Sequence, residues 1–577
     1  IHKHIPAHGG KLVNLLVDMD ELENLKQKAI ESPSITLTER QINELELLLN
    51  GGFSPLDGYL DSADYASVLE NNRLVNGTLW PIPICLDVPD SIAEKLSVGQ
   101  SIALLDSEGF MPAILQVEEI YKVNLEKEAE AIYGTTSIEH PGVRNLLENH
   151  QSVYLGGKVK GIELPLHFDF EDLCNTPAKL REKFHRMGWQ KVVAYSTSQI
   201  MHRMDRQITL DIAKETRANI LVHPLLGEDQ LGDMNRFSRI RGYREVVRKY
   251  PHQLGLLSLL PLSRRSGGPR EALWHAIIRQ NYGCSHIIID SHYASPLDTN
   301  GLTYYQSGAA QQLIKNHQHE LSIQMIEIDE QAYSPKHKRF MSRQLLENNK
   351  DEALSITQAE LRNILSHGDK LPRWFTYPDV EKELASIYPA RDKIGFTLFF
   401  TGFSGSGKST LARMIHSRLI EDGGRPITLL DGDVVRMNLS SELGFSKEHR
   451  NLNIRRIGFV ANEISKNGGI AICAPIAPYS EMRRDVRGLI EQHGVFIEIY
   501  VSTPLEVCEA RDRKGLYAKA RKGIIPEFTG ISDPYEVPRN PEFSIDTSLG
   551  TPMEQVQQIM LYLFREGYLG VDDEFID

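Results

Sequence analysis

Apolar and polar positions change their rhythm twice along the chain. Over residues 1–170, short apolar runs such as SIALLD and MPAILQVEEIY are broken by Gly, Pro and Asp turns, a pattern that predicts a compact, mainly β domain with helical insertions. Over 171–390, apolar runs (KVVAYST, NILVHPLLG, QLGLLSLLPL, HIIID) alternate with helical stretches (DRQITLDIAKETR, GPREALWHAIIRQNY), the order expected of a parallel α/β nucleotide-binding sheet. The stretch LPRWFTYPDVEKELASIYPARDK at its end reads as a linker into a third region, 391–577. That region opens on a run of β-branched and aromatic residues, Ile394 to Thr401, which predicts a buried strand. A glycine-rich break follows, and then Leu411, Ala412, Ile415 and Leu419 recur at the spacing of an amphipathic helix.

The break between strand and helix carries the first chemistry. Residues 402–409 read GFSGSGKS, which fits G-x-x-x-x-G-K-[ST], a phosphate-binding loop. Glycines let the backbone turn so that successive N–H groups point inward at an anion, and the helix N-terminus adds its positive end. Gly402, Ser404, Gly405, Ser406, Gly407, Lys408, Ser409 and Thr410 are therefore the candidate ATP-binding residues, with Lys408 directed at the outer phosphates and the Ser409 hydroxyl at Mg²⁺. Downstream, the apolar run ITLLDGD ends in Asp431 and Asp433, which places two carboxylates at the carboxyl end of a parallel strand. One could hold Mg²⁺ while the other accepts a proton from an attacking hydroxyl. The chain contains no N-K-x-D base-reading motif, so a GTPase is disfavoured.

Composition narrows the partners. The 577 residues, 41% hydrophobic and 24% charged, are ordinary for globular protein and enough for about three domains. A net charge of −13 argues against general nucleic-acid binding, so small anionic substrates must be met by local basic pockets. Cys85, Cys174, Cys284, Cys473 and Cys508 show no C-x-x-C spacing, which fits neither a disulfide framework nor a zinc site and leads us to expect a reducing cytoplasm. No apolar run approaches the ~18 residues of a membrane helix. The chain begins at Ile1 rather than Met, so a short upstream piece is expected.

On these motifs the last third resembles adenylyl-sulfate kinase. The words DGDVVRMNLSSELGFSKEHRNLNIRRIG and EARDRKGLYAKARKGIIPEFTGISDPYE resemble that family's second-substrate region and its lid. The resemblance implies a P-loop NTPase kinase fold and makes Asp433 the base near the ribose 3′-hydroxyl, Lys408 its catalytic partner, and Ser409 and Asp431 the Mg²⁺ ligands. It implies that Arg436, Arg450, Asn453 and Lys514 bind adenylyl sulfate and that Phe445 and Phe528 sandwich its adenine. Guanidinium forks suit a sulfate–phosphate anhydride, and a flat base suits aromatic faces. Lys514, Lys519, Arg521 and Lys522 form a basic cluster in the lid segment. Where the family often carries a phosphorylatable serine after its third strand, this chain has Ala477, so direct transfer is expected.

The first two regions resemble ATP sulfurylase. AHGGKLVN and GGFSPLDGYL resemble its N-terminal, PUA-like domain, and VHPLLG, GPREALWHAIIRQNYG and PRWF resemble its Rossmann-type, nucleotidyltransferase-like catalytic domain. The family's reactive words are altered, however. Q-T-R-N-P-x-H-x-x-H has become STSQIMHRMD, with Ser196 and Ser198 in place of Gln and Arg, His202 kept and Asp205 in place of the second His. G-R-D-H-A-G has become DSHYAS, with Ser291 at the arginine position, while Arg265 remains. A serine supplies neither charge nor a bidentate fork, and losing one pre-organised donor typically costs about 10²–10³ in rate. Three readings follow: an adenylyl-sulfate kinase with a silent sulfurylase-like region, a bifunctional enzyme running both steps, or a non-catalytic sensor of adenylyl sulfate. The intact loop, Lys408 and Asp433 argue against the sensor, and the altered words against the bifunctional enzyme. Expected partners are ATP, Mg²⁺, adenylyl sulfate and further copies of the chain in a dimer or hexamer, without nucleic acid or membrane.

Overall fold

The computed structural model describes residues 5–227, 235–298 and 301–570, apart from the side chain of Asp433. The chain forms two units, the first comprising Ile1–Thr357 and Leu371–Ile387, the second Gln358–Lys370 and Tyr388–Asp577.

The first unit holds, among the described residues, two large sheets and a two-stranded one. Strands β1 (Ser34–Thr36), β2 (Gly58–Tyr59), β3 (Leu86–Val88), β4 (Ser101–Leu105), β5 (Ala113–Lys122) and β6 (Val153–Gly161) form a sheet in the order β1-β4-β5-β6-β2, with β3 also on β6. Its pairings are antiparallel except β1 with β4. Strands β7 (Val192–Tyr195), β8 (Asn219–Val222), β9 (Gly255–Leu257), β10 (His286–Asp290) and β11 (Gln324–Ile328) form an all-parallel sheet, β11-β10-β7-β8-β9. One apolar cluster, which includes Phe53, Trp80 and Trp274, runs through both sheets; the Phe53 ring lies 5.9 Å from Trp80 and 5.5 Å from Trp274. The helix Gly268–Asn281 is buried on nearly every side, which is why its apolar residues show no single face. Sequence pattern missed β11, where no residue is fully buried and the polar Gln324 and Glu327 are exposed, and the hairpin of β12 (Gln331–Ser334) and β13 (Arg339–Ser342).

Residues 371–387 of the stretch read as a linker fold as part of this unit. Trp374 stacks on Tyr333 at 4.9 Å, and the helix Pro378–Ile387 buries Val380 and Leu384. Aromatic anchors and a 3.6-residue apolar period make it a packed element rather than a tether.

The second unit is a doubly wound sheet of β14 (Phe396–Thr401), β15 (Ile427–Leu430), β16 (Ile470–Cys473), β17 (Val495–Val501) and β18 (Phe543–Ile545), all parallel, in the order β15-β16-β14-β17-β18. All six residues of β14 are buried, as expected of a strand covered on both faces. Alternate side chains serve opposite cores: Phe396, Leu398 and Phe400 meet Leu411, Ile415, Leu419, Ile559 and Leu563, while Phe399 meets Ile457, Ala461 and Val486. The chain runs from β14 to β15 and β16 on one side and later to β17 on the other, so the loop after β14 sits where strand order reverses, the place such sheets bind ligands.

Candidate functional site

The loop after β14 is shaped by its glycines. Gly402 and Gly407 have φ of +151° and +108°, and a Cβ there would lie 2.5 Å from the Val501 carbonyl oxygen and 2.8 Å from Thr547 Cγ2. From the far side Thr503 and Thr547 donate hydroxyls to the Ser406 carbonyl at 2.9 and 2.6 Å, fixing the loop from behind. Lys408 begins the helix Lys408–Asp422, and its ammonium donates to the carbonyls of Gly402 (2.9 Å) and Phe403 (2.7 Å). Burial lowers its pKa to about 7.

Beyond the loop opens a cavity of about 530 Å³ lined by Ser404, Gly405, Gly407, Lys408, Ser409, Thr410, Asp431, Arg436, Phe445, Arg450, Asn453 and Lys514. The phosphate loop and most of the second-substrate residues named from sequence thus share one hollow. Asp431 caps the helix Gly432–Leu439, accepting from Gly432 N at 2.8 Å and from Arg413 at 2.8 Å. Asp433 belongs to the first turn of that helix rather than to the strand end, and its side chain lies outside the described residues. Arg436 lies over the Phe445 ring at 4.2 Å, and that ring is 65% exposed toward the opening. Arg450 is held by Asp533 (2.8 Å), Thr529 (2.9 Å) and Tyr479 (3.1 Å). Its Nε, together with Asn453 Oδ1, is buried without a protein partner, as groups awaiting a polar ligand are.

Two expectations need correcting. Phe528 is not on the cavity wall: its ring stands edge-on to Tyr517 at 5.1 Å, and Tyr517, tied by its hydroxyl to the Ser404 carbonyl at 2.8 Å, faces the hollow instead. Of the cluster Lys514, Lys519, Arg521 and Lys522 only Lys514 lines the cavity; Arg521 is spent on Glu509 at 2.8 Å, and Lys519 and Lys522 are exposed. The cations sequence reasoning passed over are Arg511 and Arg513, which line the cavity just ahead of Lys514. The alternation of Arg and Asp in EARDRKG was the available signal.

A Mg²⁺ ion fits these donors. Ser409 and Asp431 present hard oxygens to the same hollow, and such an ion usually takes one or two protein oxygens beside those of a nucleotide. Among the described residues no group of three or more His, Cys, Asp or Glu could hold a metal by itself.

In the first unit, the altered words gather at the carboxyl ends of β7 and β10. Asp205 accepts from the Tyr195 hydroxyl at 2.5 Å and from His202 N at 2.6 Å, capping the helix Arg203–Thr216. His202 bonds the Thr376 hydroxyl at 2.9 Å, its ring lies 4.3 Å from Phe375, and burial lowers its pKa to about 3. The carbonyls of Ser198 and Ser291 accept from Arg239 (3.3 Å) and Gly308 N (2.8 Å), and Ser196 follows directly on β7. Arg265, kept from the family word, is buried against Glu44 and lies over Trp274 at 5.3 Å, so its charge is already matched.

The geometry defines a P-loop phosphotransferase unit that follows a nucleotidyltransferase-like one in the sequence. Family comparison agrees: residues 5–164 match the PUA-like domain, 171–387 ATP-sulfurylase and 394–546 adenylylsulphate kinase. A sulfate adenylyltransferase of Phaeosphaeria nodorum is 43% identical over 570 residues, covering 98% of this chain and 99% of the relative. One of Aspergillus fumigatus is 42% identical over 575 residues, again covering 98% and 99%. The solved hexameric APS kinase from Thiobacillus denitrificans aligns with a TM-score of 0.81 at 37% identity, over 99% of this chain and 100% of that one. The chain belongs to the sulfate adenylyltransferase family, in the form whose ATP-sulfurylase region is followed by an adenylylsulphate kinase domain. Among the described residues no helix is long and apolar enough to cross a membrane.

Proposed function

We propose that the chain transfers the γ-phosphoryl group of ATP to the 3′-hydroxyl of adenylyl sulfate, giving 3′-phosphoadenylyl sulfate and ADP. The observation that carries this reading is the single cavity joining a complete phosphate loop to Arg436, Phe445, Arg450 and Asn453. Phosphoryl transfer needs positioning and charge stabilisation more than covalent help. The loop's N–H groups and Lys408 hold the β- and γ-phosphates. Ser409 and Asp431 would hold Mg²⁺, whose chemistry is to neutralise charge on the bridging phosphate oxygens. Asp433 takes the proton of the attacking 3′-hydroxyl. Arg436, Arg450 and Lys514 meet the sulfate–phosphate anhydride, Asn453 supplies the buried amide, and the adenine lies between Phe445 and Phe528, with Phe528 swinging from Tyr517 to complete the stack. Ala477 offers no hydroxyl, so transfer is direct. By analogy with its hexameric neighbour, the chain works as a homo-oligomer in the cytoplasm.

The sulfurylase-like region, in this reading, does not make adenylyl sulfate. Of its remaining polar groups, Asp205 and Arg265 are bound into the fold rather than open to two anions, and His202 is tied by Nδ1 to Thr376, leaving its buried Nε2 as the one nitrogen of that ring without a protein partner. The names of the relatives favour the bifunctional alternative. Incubating the full chain with ATP and adenylyl sulfate should release ADP, whereas ATP and sulfate should release no pyrophosphate above background. Absence of the first product would overturn the kinase reading.

A further inference from the structure

We propose that a second cavity in the kinase unit binds a small molecule bearing a phosphate or sulfate group, and that its occupancy is felt at the substrate cavity through a shared wall. This hollow, of about 690 Å³, is lined by four arginines, Arg483, Arg484, Arg487 and Arg539, and two carboxylates, Glu498 and Glu536. Both acids already accept hydrogen bonds, Glu498 from cations and Glu536 from neutral donors. Glu498 accepts from Arg483 (3.0 Å) and Arg487 (3.5 Å), and Glu536 from the Ser480 amide (2.8 Å) and hydroxyl (2.5 Å). Arg483 is further spent on the carbonyls of Ala477 and Glu536, both at 2.6 Å, and Arg487 on Glu542 at 2.8 Å. Arg484 and Arg539 are left over, exposed and without a hydrogen bond or ion pair among the described residues. Arginines with that freedom are usually just solvated. These two stand in a concavity with four arginines to two carboxylates, and Glu498 there is paired with Arg483 and Arg487, on a chain of net charge −13. Guanidinium forks match tetrahedral oxyanions, and the volume lies within the usual range of small-ligand sites.

The wall between the hollows is short and constrained. Ala477 and Pro478 line the substrate cavity, yet Ala477 O accepts from Arg483 and Pro478 O accepts from Glu536 N at 2.8 Å, both donors belonging to the second cavity. Ala477 sits at φ +46°, a left-handed conformation unfavourable for a residue with a Cβ, so the surrounding bonds must hold it. An anion drawn to Arg484 lies one residue from Arg483 and loads the bonds that set the position of Ala477.

The test uses the full chain. Crystals soaked in sodium selenate should show an anomalous selenium peak within hydrogen-bond distance of Arg484 and Arg539. Calorimetric titration with sulfate, and separately with phosphate, should show a binding event weakened at least tenfold in the R484A/R539A double variant and partly restored in R484K/R539K; the two titrations tell which oxyanion is preferred. Adding the preferred anion should change KM for adenylyl sulfate in the wild type and not in the double variant. That rate arm alone rests on the kinase reading, so anion binding without kinase activity would refute that reading and leave the site standing. A selenate peak confined to the phosphate loop, or titrations identical in wild type and double variant, would overturn the proposal.

Discussion

Arg450 and Asp533 form an ion pair of 2.8 Å between side chains only 14% and 16% exposed, and the Tyr479 hydroxyl donates to the same carboxylate at 2.5 Å. The pair aims one edge of a guanidinium at the substrate cavity from a helix whose own period gives no such direction. Truncating Asp533 to Ala removes a charged hydrogen bond of about 1.5–3 kcal/mol, so KM for adenylyl sulfate should rise ~10-fold or more. KM for ATP should stay within about twofold, because nothing in the pair touches the phosphate loop. Equal increases in both constants would make Asp533 a fold-stabilising residue only.

Lys408 should make nucleotide binding proton-linked. Burial lowers its pKa to about 7 in the empty loop, and bound phosphates favour the charged form, so above pH 7 binding must take up a proton. Affinity for ATP should therefore fall as pH rises from 7 to 9, with up to one proton taken up. Titration calorimetry at pH 8 in two buffers of different ionisation enthalpy measures the number. Lys408→Ala should abolish the uptake and cut turnover by orders of magnitude.

Much of this was legible in the chain because the second unit states its plan locally. One buried strand, one glycine-spaced loop and one amphipathic helix suffice to place Lys408 and Ser409. The position of Phe528 was not legible, because whether that ring faces the hollow depends on Tyr517 occupying the wall, a contact no period encodes. Nor was the fate of Arg265: its persistence in the sequence looked like surviving chemistry, while the partner that neutralises it, Glu44, comes from 221 residues away. The packed segment 371–387 was misread for a related reason, since Pro, Trp and Tyr signal turns until a neighbour such as Tyr333 is in place.

The two rings of the proposed adenine site should differ in variants. Phe445 is already at the opening, so Phe445→Ala should weaken adenylyl sulfate by the ~1–3 kcal/mol of a base stack without altering the stability of the free protein. Phe528→Ala also frees Tyr517, so it should lower the unfolding temperature as well as weaken adenylyl sulfate more than ATP. Loss of stability with unchanged affinity would leave Phe528 outside the site.

Asp433 should act as a base and not as a metal ligand. Asp433→Asn keeps the size of the side chain and removes the proton acceptor, so kcat should drop ~10²–10⁴-fold with KM for ATP nearly unchanged. Near-normal kcat would remove it from the mechanism. A large rise in KM for ATP, relieved by excess Mg²⁺, would assign it to the metal in place of Asp431.

The sulfurylase-like region, proposed above to be silent, invites repair, and its contacts set what repair will cost. Forming adenylyl sulfate means holding sulfate against the α-phosphate while pyrophosphate leaves, which demands positive charge facing both anions. Ser196, Ser198 and Ser291 supply none, and the Asp205 carboxylate is given to Tyr195 and His202 N. The full chain should therefore make no ATP from adenylyl sulfate and pyrophosphate, the favourable and more sensitive direction. The variant S196Q/S198R/D205H/S291R should recover part of that activity. Asp205→His also leaves the buried Tyr195 hydroxyl and a helix cap unpaired, a loss of about 1–3 kcal/mol each, so the repaired chain should unfold at a lower temperature. Asp205→Asn separates this cost from the repair, because its one oxygen can accept from His202 N while its amide donates to the Tyr195 hydroxyl, so it should unfold at a higher temperature than Asp205→His without adding positive charge. ATP synthesis by the unmodified chain would restore the bifunctional reading, and a well-folded quadruple variant without activity would show that more than charge was lost.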